Sequence, residues 1–115
     1  MELSGLMLIT NRLDACADYY TALLGCDPER GAGWVHFALP GGRMLALHTP
    51  WSPDLPSEGG STVALLDVIS LAEEAGRLEG SGIELSEPHD IPGGRVVTTS
   101  DPDGRLVQLV EHDAA

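Results

Sequence analysis

Basic residues are scarce in this chain. Six Lys and Arg stand against 18 Asp and Glu, for a formal net charge of −12. Phosphate backbones are held by clustered Lys and Arg, so the charge argues against a nucleic-acid partner. The acidity keeps the surface solvated and would raise the local concentration of a cationic ligand. Cysteine is almost missing too. Cys16 and Cys26 are the two present, too few for a disulfide scaffold and without CxxC spacing. They read as reduced thiols of a cytoplasmic protein, Cys16 inside a helical pattern and Cys26 just beyond its end. No apolar run approaches the roughly 20 residues of a membrane span. MELSGLMLIT has neither the basic region nor the cleavage site of a secretory leader. G-x-S-x-G, P-loop and G-x-G-x-x-G signatures are also lacking.

What is present is one domain's worth of chain, 115 residues with 43% apolar, enough for a buried core. LMLIT (6–10) has strand length, and Asn11 is placed to cap the helix that follows. That helix runs through ACADYYTALL with Leu13, Ala17, Tyr20 and Leu24 as its apolar stripe, and Gly25 ends it. GWVHFAL (33–39) and RMLALHT (43–49) are strands joined by a PGG turn. Residues 50–61, PWSPDLPSEGGS, read as a linker. The pattern then restarts with a strand at 62–69, a helix LAEEAGRL capped by Ser70 with Glu73, a short strand at 83–85 and strands at 95–100 and 105–112. The motif P-x-G-R-x-x-x-L occurs at Pro40–Leu47 and again 62 positions later at Pro102–Leu109. The expected organisation is therefore a duplicated supersecondary unit, 1–49 and 62–115, joined by 50–61.

The stretches LITNRLDACADYYTALLG, ALLDVISLAEEAGRLEGSGIEL and DPDGRLVQLVEH together resemble the vicinal oxygen chelate superfamily. That group includes glyoxalases, extradiol dioxygenases, bleomycin-resistance proteins and fosfomycin-resistance enzymes. The resemblance spans the chain and implies an α+β fold of two tandem βαβββ modules. Their sheets would curl around a cavity, usually in a homodimer. It also implies four metal-ligand positions, which fall here on Gly5, Ala46, Val63 and Gln108. Gly, Ala and Val have no donor side chain, and one neutral Gln oxygen does not hold a divalent ion. No metal and no other cofactor is expected.

Strand alternation and the family likeness place Met7, Ile9, Val35, Phe37, Ala46, His48, Val96, Thr98, Gln108 and Val110 on the concave surface, with Trp51 closing over it. Opposite parity in 33–39 would present Trp34 and His36 in place of Val35 and Phe37. The acidic DPDG segment fails the spacing of a calcium loop and is read as turn chemistry. Two functional classes follow. One is a metal-free binding protein that sequesters a small organic molecule, cationic or aromatic, or an antibiotic. The other is a glyoxalase-, dioxygenase- or isomerase-type enzyme with relocated ligands, or with acid–base chemistry through Asp67, His48 or His112. The missing ligands favour the first.

Overall fold

The computed structural model describes residues 2–55 and 62–114. Residues 56–61, half of the expected linker, lie outside the described residues. The chain divides into two compact units, Met1–Glu58 and Gly59–Ala115. Both are built as strand, helix and three strands, an α+β arrangement with one four-stranded mixed sheet per unit. Among the described residues no helix is long and apolar enough to cross a membrane.

The first unit contains β1 (Gly5–Ile9), α1 (Leu13–Leu24), β2 (Glu29–Gly31), β3 (Trp34–Leu39) and β4 (Arg43–His48), in sheet order β1-β4-β3-β2. β1 runs parallel to β4, and the other pairs are antiparallel. Partners across a ladder share a face, so Leu8, Leu47 and Val35 form one apolar row and Leu45 and Phe37 another. α1 packs over β3 and β4, burying Cys16, Ala17, Tyr20 and Leu23. Each of these nine side chains is at most 4% exposed. Sealing them from water stabilises the unit by roughly 1.5–3 kcal/mol for each large apolar side chain.

The buried stripe is turned slightly from the expected one, with Cys16 and Leu23 joining Ala17 and Tyr20 in it and Leu13 and Leu24 at its margin. The cap differs as well. Arg12, not Asn11, occupies the N-cap position and makes no side-chain cap. The Thr10 hydroxyl instead accepts from the Arg12 N–H at 2.9 Å. Gly25 ends α1 as expected, at φ 69° with its N–H donating to the Thr21 carbonyl.

The second unit contains β5 (Val63–Val68), α2 (Leu71–Leu78), β6 (His89–Ile91), β7 (Gly94–Ser100) and β8 (Leu106–His112), in order β5-β8-β7-β6. Ala64, Val107 and Thr99 form one buried row, with Leu109 and Val97 in the next. α2 packs along β8 through Leu71 and Leu78. Ser70 caps it by accepting from the Glu73 N–H at 3.1 Å, and Glu111 Oε1 accepts from the Leu71 N–H at 2.9 Å. The strand expected at 83–85 does not form, and the edge of the sheet beside β7 is taken by β6. Gly76 sits exposed in mid-helix, where an added Cβ meets nothing within 4 Å. Gly76→Ala is expected to stabilise the unit by about 0.5–1 kcal/mol, measured by urea unfolding.

The two P-x-G-R turns share a frame and differ in content. Gly42 and Gly104 both adopt positive φ, 73° and 78°. In the second turn Asp101 Oδ1 accepts from the N–H groups of Asp103 and Arg105, each at 2.9 Å. Its Oδ2 pairs with Arg105 Nη1, and Asp103 Oδ2 lies 3.6 Å from Arg105 Nη2. All three side chains are at most 5% exposed. In the first turn Leu39 and Gly41 hold the acidic positions, and Arg43 is exposed. The motif is shared, but only the second copy encloses a buried ion network.

Candidate functional site

Each sheet has one face under its helix and one open face. In the first unit the open face carries the rows Gly5–Met44–Ala38, Met7–Ala46–His36 and Ile9–His48–Trp34. Met7, Ile9, Ala46 and His48 therefore stand together as expected. Val35 and Phe37 do not: they belong to the opposite face, 1% and 0% exposed beneath α1. GWVHFAL is apolar or aromatic on both of its faces, so the sequence did not distinguish them. Burial against the helix selects the smoother pair, Val and Phe, and turns Trp34 and His36 outward.

That parity assembles a cluster of rings. Trp34 and His36 lie with centroids 4.5 Å apart and planes tilted by 40°. A Cβ on Gly31 would overlap the Trp34 indole, so the bare glycine gives the ring its place beside β2. Across the ladder His48 meets Trp51 edge to face, centroids 5.1 Å apart at 89°. His48 Nδ1 lies 2.6 Å from the Thr49 carbonyl. A carbonyl can only accept, so Nδ1 carries the proton and fixes the ring's tautomer. Both of the chain's tryptophans thus belong to this cluster. Beside it opens a cleft of about 440 Å³, lined by His36, Leu39 and Met44 and by the charged side chains of Asp27, Glu29 and Arg43.

The open face of the second unit carries Val63–Leu106–Ser100, Leu65–Gln108–Thr98 and Asp67–Val110–Val96–His89. Val96, Thr98, Gln108 and Val110 share this face, as the alternation indicated. Asp67 and His112, separate candidates in the sequence, come together here. The Asp67 carboxylate accepts from His112 Nε2 at 2.9 Å, with the side chains 77% and 63% exposed. A pair so open to water contributes about 0–1 kcal/mol, but it does orient the imidazole.

The four positions to which the family resemblance assigns metal ligands are structurally equivalent in pairs. Gly5 partners Met44 just as Val63 partners Leu106, and Ala46 and Gln108 lie two residues further along β4 and β8. The residues there do not fit a divalent ion. Only Gln108 offers a donor, and a Cβ on Gly5 would overlap the Met44 carbonyl of the neighbouring strand. Among the described residues no group of three His, Cys, Asp or Glu could hold a metal. Gly5→Ala is expected to cost about 1–3 kcal/mol through that overlap, read as a lowered urea midpoint. A ligating His at position 5 would meet the same obstacle first.

Comparison with known proteins agrees with this architecture. The family model of the Glyoxalase/Bleomycin resistance protein/Dioxygenase superfamily matches residues 3–109. No curated protein matches the chain. Among solved structures, TnmS3, an antibiotic binding protein from Streptomyces sp. CB03234, is 25% identical, with a TM-score of 0.79 over 98% of this chain and 97% of its own. A glyoxalase/bleomycin resistance protein/dioxygenase from Nocardioides is 28% identical, with a TM-score of 0.77 over 97% and 83%. The fosfomycin resistance protein FosX from Mesorhizobium loti, 16% identical with a TM-score of 0.72 over 97% and 92%, shares the fold.

Proposed function

We propose that this chain, which belongs to the Glyoxalase/Bleomycin resistance protein/Dioxygenase superfamily, is a metal-free binding protein that sequesters a small aromatic compound, such as an antibiotic, as a homodimer. The observation that carries the reading is the cluster of Trp34, His36, His48 and Trp51 on an open sheet face whose metal positions hold Gly5 and Ala46. Tilted and edge-on rings offer a planar ligand large contact area with little side-chain entropy to lose. Asp27 and Glu29 in the adjoining cleft favour a cationic substituent. The similarity to an antibiotic binding protein at 25% identity supports the same class of ligand. Exposed Leu65 and Ile69, 65% and 96% accessible, supply apolar surface for self-association.

A thermal-shift screen of aromatic antibiotics and aromatic amines tests the reading, together with sedimentation of the free protein. Stabilisation by aromatic cations in a dimeric protein is the expected result. No shift with any compound would refute the ligand class, and a monomer would refute the assembly. A second reading, acid–base catalysis, is favoured by one observation, the Asp67–His112 hydrogen bond. It requires turnover of a bound compound that is lost in His112→Ala. Binding that survives His112→Ala with no turnover in either protein would set this reading aside.

A further inference from the structure

In the second unit a groove of about 350 Å³ runs between the C-terminal half of α2 and the segment that follows it. Its walls are Gly76, Leu78 and Glu79 on one side and Ile83 and Leu85 on the other. Gly76 leaves a notch in the helix surface, since its Cβ position is empty for 4 Å around.

The far wall has the character of a strand without a partner. Residues 83–85 alternate half-buried Ile83 and Leu85 with exposed Glu84, a strand pattern in sequence, yet they join no ladder. Glu84 and Leu85 make no backbone hydrogen bond among the described residues. The next residue is fixed in place: the Ser86 N–H donates to the Thr98 carbonyl, and Ser86 Oγ accepts from the Thr98 N–H, each at 2.9 Å. A strand edge is thus held at a set position beside β7, with its polar groups available.

We propose that this groove takes an extended peptide segment of a partner protein, apolar and basic in alternation, which pairs with the outward-facing backbone of Leu85 as an added strand. Main-chain hydrogen bonds to an exposed edge supply affinity in this mode, and pockets for alternate side chains supply specificity. The space left at Gly76 receives one apolar side chain. The charge requirement comes from the carboxylates around it. Glu79 lines the groove, and Glu84 and Glu87 are exposed beside it, all three without an ion pair among the described residues. On a chain of net charge −12, an acidic peptide would be repelled and a basic one attracted. The site is independent of the ring cluster in the first unit.

The test is a titration of isotope-labelled full-length chain with the blocked peptide acetyl-Lys-Leu-Lys-Val-Lys-amide, followed by amide NMR shifts. Saturable shifts centred on residues 75–80 and 83–87 are expected. Alternate N-methylation of the peptide backbone, or replacing its lysines by glutamates, should each weaken binding at least tenfold. Gly76→Leu, which fills the notch at an exposed helix position, and Glu79→Lys should do the same without lowering Tm, the first raising it slightly as a better helix former. Three results would overturn the proposal: no saturable shift at millimolar peptide, equal binding of the N-methylated peptide, or shifts centred on Trp34 and His36 instead.

Discussion

Asp101→Ala is expected to destabilise the second unit by about 3–5 kcal/mol. The acidic turn would pass for solvated surface on sequence alone, yet its ionic groups are almost wholly enclosed, Asp101 at 0% and Arg105 at 5% exposed. Removing the carboxylate takes away the acid paired with Arg105 Nη1 inside an enclosed turn, where Asp103 Oδ2 lies 3.6 Å from Nη2. Stranding one member of a buried pair costs about that much, because the charge can neither reach water nor give up its proton. The N–H groups of Asp103 and Arg105 also lose their acceptor. Arg105→Met added to Asp101→Ala should recover part of the loss, since an apolar chain needs no counter-charge. Arg43→Ala, at the twin position, is expected to change stability by less than about 0.5 kcal/mol, because that side chain is exposed. Urea midpoints of the four proteins check all of this. Equal small effects for Asp101→Ala and Arg43→Ala would mean that the second turn is not enclosed.

Trp34→Ala is expected to lower affinity for an aromatic ligand by about 10- to 100-fold, the loss typical when a central aromatic anchor is truncated, while leaving the fold intact. The two consequences separate because of the strand's parity. Trp34 stands on the open face against His36, whereas the core beneath α1 rests on Val35 and Phe37. Truncation therefore removes the stacking surface without opening the core. Trp51, 63% exposed and touching His48 by its edge, should contribute less, a loss of several-fold on Trp51→Ala. Isothermal titration with a compound found by thermal shift measures both. Unchanged affinity in Trp34→Ala would move the ligand off this face.

The parts of this fold that the sequence disclosed are those where periodicity and turn chemistry agree. The strands flanking each P-x-G-R turn, the Gly25 terminator and the Ser70 cap all stand where their residues indicate. β2 and β6 escaped notice because Glu29–Gly31 and His89–Ile91 are exposed throughout and carry no alternation. Ile83–Leu85 shows the reverse: a strand pattern whose backbone finds no partner in the sheet. The candidate site was half legible. Gly5, Ala46, Val63 and Gln108 were the positions the family resemblance implied, and the ladder registers make them equivalent pairs. The rings at 34 and 36 stood only as the alternative to Val35 and Phe37, because a strand with large apolar groups on both sides does not say which side the helix covers. Nor could the repeated Gly-Arg show that one arginine is enclosed and the other free, since the difference lies in the acids two and four residues before it.

The most direct measurement uses the two tryptophans as built-in reporters. Chelator-treated protein, its metal content first verified by elemental analysis, is titrated with the stabilising aromatic compound while intrinsic fluorescence is followed. Both indoles belong to the ring cluster, so a ligand there alters their emission directly. Saturable quenching is expected in chelator, with the same Kd after zinc, manganese, nickel or iron(II) is added back. Binding that appears only when one of these ions is restored stoichiometrically would contradict the metal-free site.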